Sequence, residues 1–132
     1  MITLDNVKLL ELDTFVDSEG SLVPVDSNST MPFEVKRVFY IYGVHDQKDR
    51  GEHSHHVTEQ VLICLNGEVK VLCDDGKDRK EWILDKPNEA LYIPNLIWDE
   101  QVYLTSDSVL LVFANTHYDE SDYISDYNEF KK

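Results

Sequence analysis

Val57-Thr58-Glu59-Gln60-Val61-Leu62-Ile63-Cys64-Leu65-Asn66-Gly67-Glu68-Val69-Lys70-Val71-Leu72-Cys73 carries the strongest fold signal in this chain. Val57 to Leu65 is an apolar run that reads as a β-strand, and Glu68 to Cys73 reads as a second. Asn66-Gly67 separates them. A two-residue Asn-Gly connection predicts a hairpin, because a type I′ turn needs positive φ at both central positions. Outward from this pair the pattern repeats. Val35 to Tyr42, Glu81 to Leu84, Ala90 to Ile93, Gln101 to Leu104 and Val109 to Ala114 read as further strands. Asp74-Asp75-Gly76, Pro87-Asn88 and Pro94-Asn95 punctuate them. Many short strands without intervening helices predict an all-β antiparallel sandwich or barrel. Only Asp119 to Tyr127 reads as helix, with acids in its first turn and Lys131-Lys132 closing the chain, both suited to the helix dipole.

The 132 residues predict a single domain spanning 1–132 with one core. Hydrophobic content of 42% and charged content of 29% are ordinary for a soluble globular protein. Twelve basic against twenty-six acidic residues give a net charge of −14, which argues against nucleic acid and anionic membranes as partners. An anionic ligand would need a local positive patch drawn from Lys36, Arg37, Lys48, Arg50, Lys70 and Arg79. Met1 to Leu12 carries Asp5, Lys8 and Glu11 and does not read as a signal peptide. No apolar run approaches the roughly 20 residues that cross a bilayer. Cys64 and Cys73 fall in strand-like segments and read as reduced core residues of a cytoplasmic protein.

Arg50-Gly51-Glu52-His53-Ser54-His55 precedes the central run. On a strand, His53 and His55 project to one side, about 6–7 Å apart at Cα. Two imidazoles on one face suggest a metal site or an acid–base pair, and the arginine suggests a bound anion. A His-x-His motif leading into a barrel strand resembles the cupins. Metal-binding cupins add a glutamate a few residues later and a histidine from a later strand. Here the first position holds Gln60, a poor ligand beside a carboxylate, and the later one holds Asp99. Glu59 alternates to the other face. The pattern reads as a depleted metal site, and no metal is expected. The lone His45 and His117 read as ordinary surface histidines.

Taken together, the motifs resemble one cupin family, the 3,4-ketoisomerases that act on TDP-4-keto-6-deoxyglucose. The resemblance rests on Asp17 to Pro24, Pro32 to Tyr42, Arg50 to His55 with Glu59-Gln60 and Asn66-Gly67, Asp74 to Gly76, and Tyr118 to Ile124, in that order. It implies a cupin-type antiparallel jelly-roll barrel with a short C-terminal helix. It also implies a homodimer and an isomerisation by proton transfer that uses no cofactor. His53 and His55 are the implied catalytic pair, His53 serving carbon and His55 the oxygens, although residue types alone leave the order open. Arg50 and then Arg37 are the candidates for the pyrophosphate of the TDP-linked keto-deoxysugar. Tyr42 and Trp98 are candidates for stacking, and Gln60 and Asp99 for contacts to the sugar or the histidines. Two departures stand out: Glu19 where the family usually has arginine, and Ser54 where it often has alanine. A sugar epimerase of the related cupins and a non-catalytic sugar-nucleotide-binding or metal-binding cupin remain as rival readings.

Overall fold

The computed structural model describes residues 1–45 and 47–131; Lys132, expected at the closing helix end, lies outside the described residues. Twelve strands follow in chain order: β1 Lys8–Glu11, β2 Phe15–Asp17, β3 Gly20–Leu22, β4 Arg37–Tyr42, β5 Asp49–His55, β6 Gln60–Asn66, β7 Val69–Asp74, β8 Arg79–Leu84, β9 Glu89–Ile93, β10 Trp98–Tyr103, β11 Val109–Ala114 and β12 Tyr123–Ile124. One helix, α1 (Tyr127–Lys131), follows them. Two five-stranded antiparallel sheets form, in the orders β1-β9-β6-β11-β4 and β12-β5-β10-β7-β8; β2 and β3 make a separate ribbon. This is the two-sheet antiparallel roll that the resemblance implied. No helix among the described residues is long and apolar enough to cross a membrane.

The sheets enclose a core. Leu62 and Cys64 of β6, Leu91 and Ile93 of β9, and Leu110 and Val112 of β11 meet Val69, Val71 and Cys73 of β7, Leu84 of β8 and Tyr103 of β10. The opposite side of β6, carrying Val61 and Ile63, packs with Leu12, Met31, Phe33, Ala90 and Phe113. Burial on both faces explains why Val61 to Cys64 is continuously apolar instead of alternating.

The expected hairpin is corrected. β6 and β7 belong to different sheets, so Asn66-Gly67 carries the chain across the barrel instead of pairing its neighbours. Only Gly67 has positive φ (78°). A side chain there would stand 2.6 Å from the Ser108 hydroxyl and closer still to that of Thr105, so glycine is required for space as well as for conformation. β6 begins at Gln60, three residues later than the pattern suggested, and the histidine motif lies within its own strand, β5.

The expected Asp119–Tyr127 helix is also corrected. Asp119 caps a single 3-10 turn, Glu120–Asp122, after which Tyr123 and Ile124 pair with His55 and Ser54 of β5. Asp122 is buried and not part of a solvated helix face. Its carboxylate accepts the Val57 N–H (2.7 Å), the Thr58 N–H (3.3 Å) and the Thr58 hydroxyl. Tertiary pairing here overrides local helix preference.

Candidate active site

The site is built on β5, and a β-bulge decides which of its side chains face inward. β10 pairs Asp99 with His53 and Gln101 with Arg50, while Glu52 is left without a partner. Gly51 and Glu52 both have positive φ (81° and 55°). Strict alternation would send Arg50 and His53 to opposite faces. The extra residue resets the phase, so Arg50, His53 and His55 share the inner face with Asp99 and Gln101. Gly51 is needed at this point: a Cβ would lie 3.2 Å from the Asp99 carbonyl oxygen.

A cavity of about 360 Å³ opens on this face. Arg50, Gly51 and His53 of β5, Gln60 of β6, Gln101 of β10 and Tyr123 of β12 line it, with Phe39, Tyr40, Ile41 and Val112 completing the wall. A larger outer cavity of about 660 Å³ shares Tyr40, Ile41 and Arg50 and adds Tyr42, Gly43, Val44, His45, Lys48 and Asp49. Arg50 therefore stands between the two. Tyr40 and Tyr42 stack there at 6.1 Å with planes 24° apart, and Tyr42 is 70% exposed.

The two histidines occupy different environments. His53 reaches the cavity, and its Nδ1 lies 2.9 Å from the Gly51 carbonyl. A carbonyl only accepts, so Nδ1 carries the hydrogen and Nε2 of the neutral ring keeps a lone pair. His55 is 5% exposed and lies behind it, ring centroids 4.9 Å apart. Tyr123 covers both, at 5.0 Å from His53 and 4.6 Å from His55. Burial, and then the neighbouring His53, lower the His55 pKa to about 4; Asp122 opposes the shift and Arg37 adds to it. His55 is thus neutral at physiological pH. Asp99 is 3% exposed, and burial pushes its carboxyl above the usual range while the nearby His53 pulls it back.

Not every expected residue comes to the cavity. Arg37 lies deeper along β4, its guanidinium 5.4 Å from the Phe39 ring and 5.6 Å from the Tyr118 ring. Trp98 points out of the barrel, one step along β10 from Asp99, and is buried under α1 against Tyr127 (5.3 Å) and Phe130 (5.8 Å). Its indole N–H donates to Glu100 (3.0 Å). Of the six candidate cations, Lys36, Lys70 and Arg79 pair with Glu34, Glu81 and Asp74, away from the cavities. Arg50 and Lys48 remain at the rim.

The family model described as "FdtA: WxcM-like, C-terminal" matches residues 5–132. The chain is 43% identical over 125 residues to the TDP-4-oxo-6-deoxy-alpha-D-glucose-3,4-oxoisomerase of Aneurinibacillus thermoaerophilus, covering 95% of this chain and 90% of that one. This chain belongs to the sugar 3,4-ketoisomerase family. Solved structures agree with that membership. The ketoisomerase QdtA from Thermoanaerobacterium thermosaccharolyticum, in complex with TDP, is 41% identical with a TM-score of 0.94, covering 98% of this chain and 94% of that one. WlaRA, a TDP-fucose-3,4-ketoisomerase from Campylobacter jejuni, is 38% identical with a TM-score of 0.90, covering 96% and 93%.

For this ketoisomerase-family chain, sequence reasoning missed Gln101, Tyr123 and His45 as cavity residues. Gln101 accepts the Tyr103 hydroxyl hydrogen (2.8 Å), a buried polar pairing without a sequence signature. Tyr123 was hidden by the helix reading of the tail. His45 reads in the sequence as a lone histidine, and only the fold brings it beside Tyr42 and Arg50.

Proposed function

We propose that this protein moves the keto group of TDP-4-keto-6-deoxyglucose from C4 to C3, giving a TDP-3-keto-6-deoxyhexose, with His53 as the carbon base. One observation carries the assignment: His53 reaches the inner cavity with Nδ1–H held by the Gly51 carbonyl, which leaves Nε2 as the basic atom. The C3 hydrogen is acidified by the adjacent C4 carbonyl. His53 takes that proton and the electron pair becomes the C3=C4 bond of an enediol. O4 gains a proton as it becomes a hydroxyl, O3 gives its own up as it becomes the ketone, and C4 receives a proton. Every step is a proton transfer, so the reaction uses no cofactor. His55 and Tyr123 serve the oxygen protons, with Tyr123 the member that touches the cavity.

The same reading puts the sugar in the inner cavity and the nucleotide in the outer one. Arg50, at the junction, takes the pyrophosphate in a bidentate contact, and the Tyr40–Tyr42 stack offers a surface for thymine. Dimerisation is supported by apolar side chains left exposed on the β2–β3 ribbon (Phe15, Val16, Leu22) and at Val38 on edge strand β4. Proton NMR of the keto-sugar nucleotide with the protein in heavy water tests the function. Deuterium should enter at C3 and C4 only. Exchange at C5 would instead identify an epimerase and overturn the reading.

A further inference from the structure

Gln101 presents a hydrogen-bond donor to the inner cavity that the reaction described above does not use. It lies on β10 between Asp99 and Tyr103, on the inner face, and is 6% exposed. The Tyr103 hydroxyl fixes which way its amide points. Tyr103 is 1% exposed, and its hydroxyl has Gln101 Oε1, at 2.8 Å, as its one hydrogen-bond partner among the described residues. A buried hydroxyl hydrogen needs an acceptor. With the amide turned over, Nε2 would face the phenol with hydrogens of its own, and the hydroxyl hydrogen would be stranded. Oε1 is therefore committed to the core, and Nε2 carries two hydrogens away from it. At most one of them turns to the Asp99 carboxylate, whose charged form the amide favours. The other is left for the cavity that Gln101 lines. Nε2 is not shut in: the enclosed polar atoms without a partner belong to Arg37, Ser54, His55 and Asp99.

The strand register says which part of a sugar meets this donor. Gln101 stands directly across from Arg50, and Asp99, its inner-face neighbour on β10, stands directly across from His53. β10 therefore runs alongside the stretch of β5 that joins the pyrophosphate contact to the carbon base. In a pyranose held by Arg50 through the phosphate on C1 and by His53 at C3, the ring edge along that stretch is C1–C2–C3. The other edge, through the ring oxygen and C5, lies away from it. The oxygen that the near edge carries between the two contacts is the C2 hydroxyl.

We infer that Gln101 is a specificity-determining contact, donating from Nε2 to the C2 hydroxyl oxygen, so that the site selects 6-deoxyhexosyl nucleotides bearing this hydroxyl over their 2-deoxy counterparts. The inference rests on the placement of sugar and pyrophosphate proposed above. A neutral amide suits the role, because it binds the hydroxyl without adding charge beside the histidines. A 2-deoxy sugar would leave a buried donor unpaired, which is how polar sites reject analogues that lack one hydroxyl.

Calorimetric titration with two unreactive ligands, TDP-6-deoxyglucose and TDP-2,6-dideoxyglucose, tests this without turnover. The unaltered protein should bind the first about 10- to 100-fold more tightly. Gln101→Met removes the amide, and adding Tyr103→Phe leaves no orphaned hydroxyl behind, so the pair of changes should spare the fold. In that double variant the preference should vanish. Equal affinities in the unaltered protein, or an undiminished preference in the folded double variant, overturn the inference. Should the double variant not fold, nitrogen-15 NMR of the unaltered protein decides. A Gln101 side-chain amide signal that moves only with the hydroxylated ligand supports the contact, and one that moves alike with both overturns it. These readouts involve no reaction, so a lack of isomerisation in heavy water would fail the proposed function and leave the contact standing.

Discussion

Replacing His53 by asparagine keeps a polar group of similar size and removes the basic nitrogen. Turnover should fall by about 10²–10⁴, with the thermal transition little changed. Activity within threefold of the unaltered protein would remove His53 from the chemistry. His55 makes a different prediction, because its burial couples to stability. The folded ring binds a proton only near pH 4, whereas in the unfolded chain it does so near 6.5. Between those values the unfolded state holds more protons, so this residue lowers stability as pH falls, by about 2–4 kcal/mol at the acid end. Asp99 works with the opposite sign. Its raised pKa means that the folded state holds the extra proton, and its contribution weakens as pH rises above the ordinary carboxylate range. The two effects oppose each other in mildly acidic solution. Urea unfolding at pH 4.5 and pH 7 should therefore show a larger acid loss in Asp99→Asn than in the unaltered protein, and a smaller one in His55→Asn. Equal losses in all three would contradict these assignments.

At the scale of elements, the bulge in β5 and the packing of α1 each support a prediction. Gly51→Ala introduces a side chain at φ +81° against the Asp99 backbone, at about 1–2 kcal/mol or more. It should lower kcat beyond what the folded fraction explains, since Gly51 also holds His53; denaturation and initial rates on one preparation separate the two effects. Trp98→Ala should cost about 3–5 kcal/mol by emptying the space under Tyr127 and Phe130. TDP affinity of the folded protein should stay unchanged, and calorimetric titration reads this directly. Weakened TDP binding would return Trp98 to the ligand. These elements also show what the sequence made legible. The apolar runs revealed the strands of the core, and the order of motifs revealed the barrel type and the histidine pair. The phase shift at Glu52 was not legible, because nothing in a glutamate announces positive φ, and it is what brings Arg50 to the histidine face. The tail was misread because the acids that resemble a helix start include Asp122, which satisfies backbone and hydroxyl donors of Val57 and Thr58, far away in sequence. Trp98 was misplaced because the pattern around it did not say which face of β10 was covered by α1.

For the whole molecule, a net charge of −14 means that an anionic nucleotide sugar is not drawn in from a distance. Affinity must come from short-range contacts at the cavity junction. Arg50→Ala should weaken TDP binding by about 1.5–3 kcal/mol, and Arg50→Lys should weaken it as well, because the charge remains while the planar fork is lost. The association rate should not fall as salt rises, as it would for a steered anion. A normal TDP affinity in Arg50→Ala with lost turnover would move Arg50 to the chemistry and make Arg37 the phosphate candidate. The crossing at Gly67 has a consequence for biosynthesis. A true hairpin would let Val61 to Cys64 find its partner within moments of leaving the ribosome. Because β6 instead pairs with β9 and β11, Ile63 must wait for Leu111. At about 5–20 residues per second, several seconds of elongation separate the two. During that interval the apolar strand β6 lacks one of its two neighbours, and its exposed edge can pair with another copy of itself.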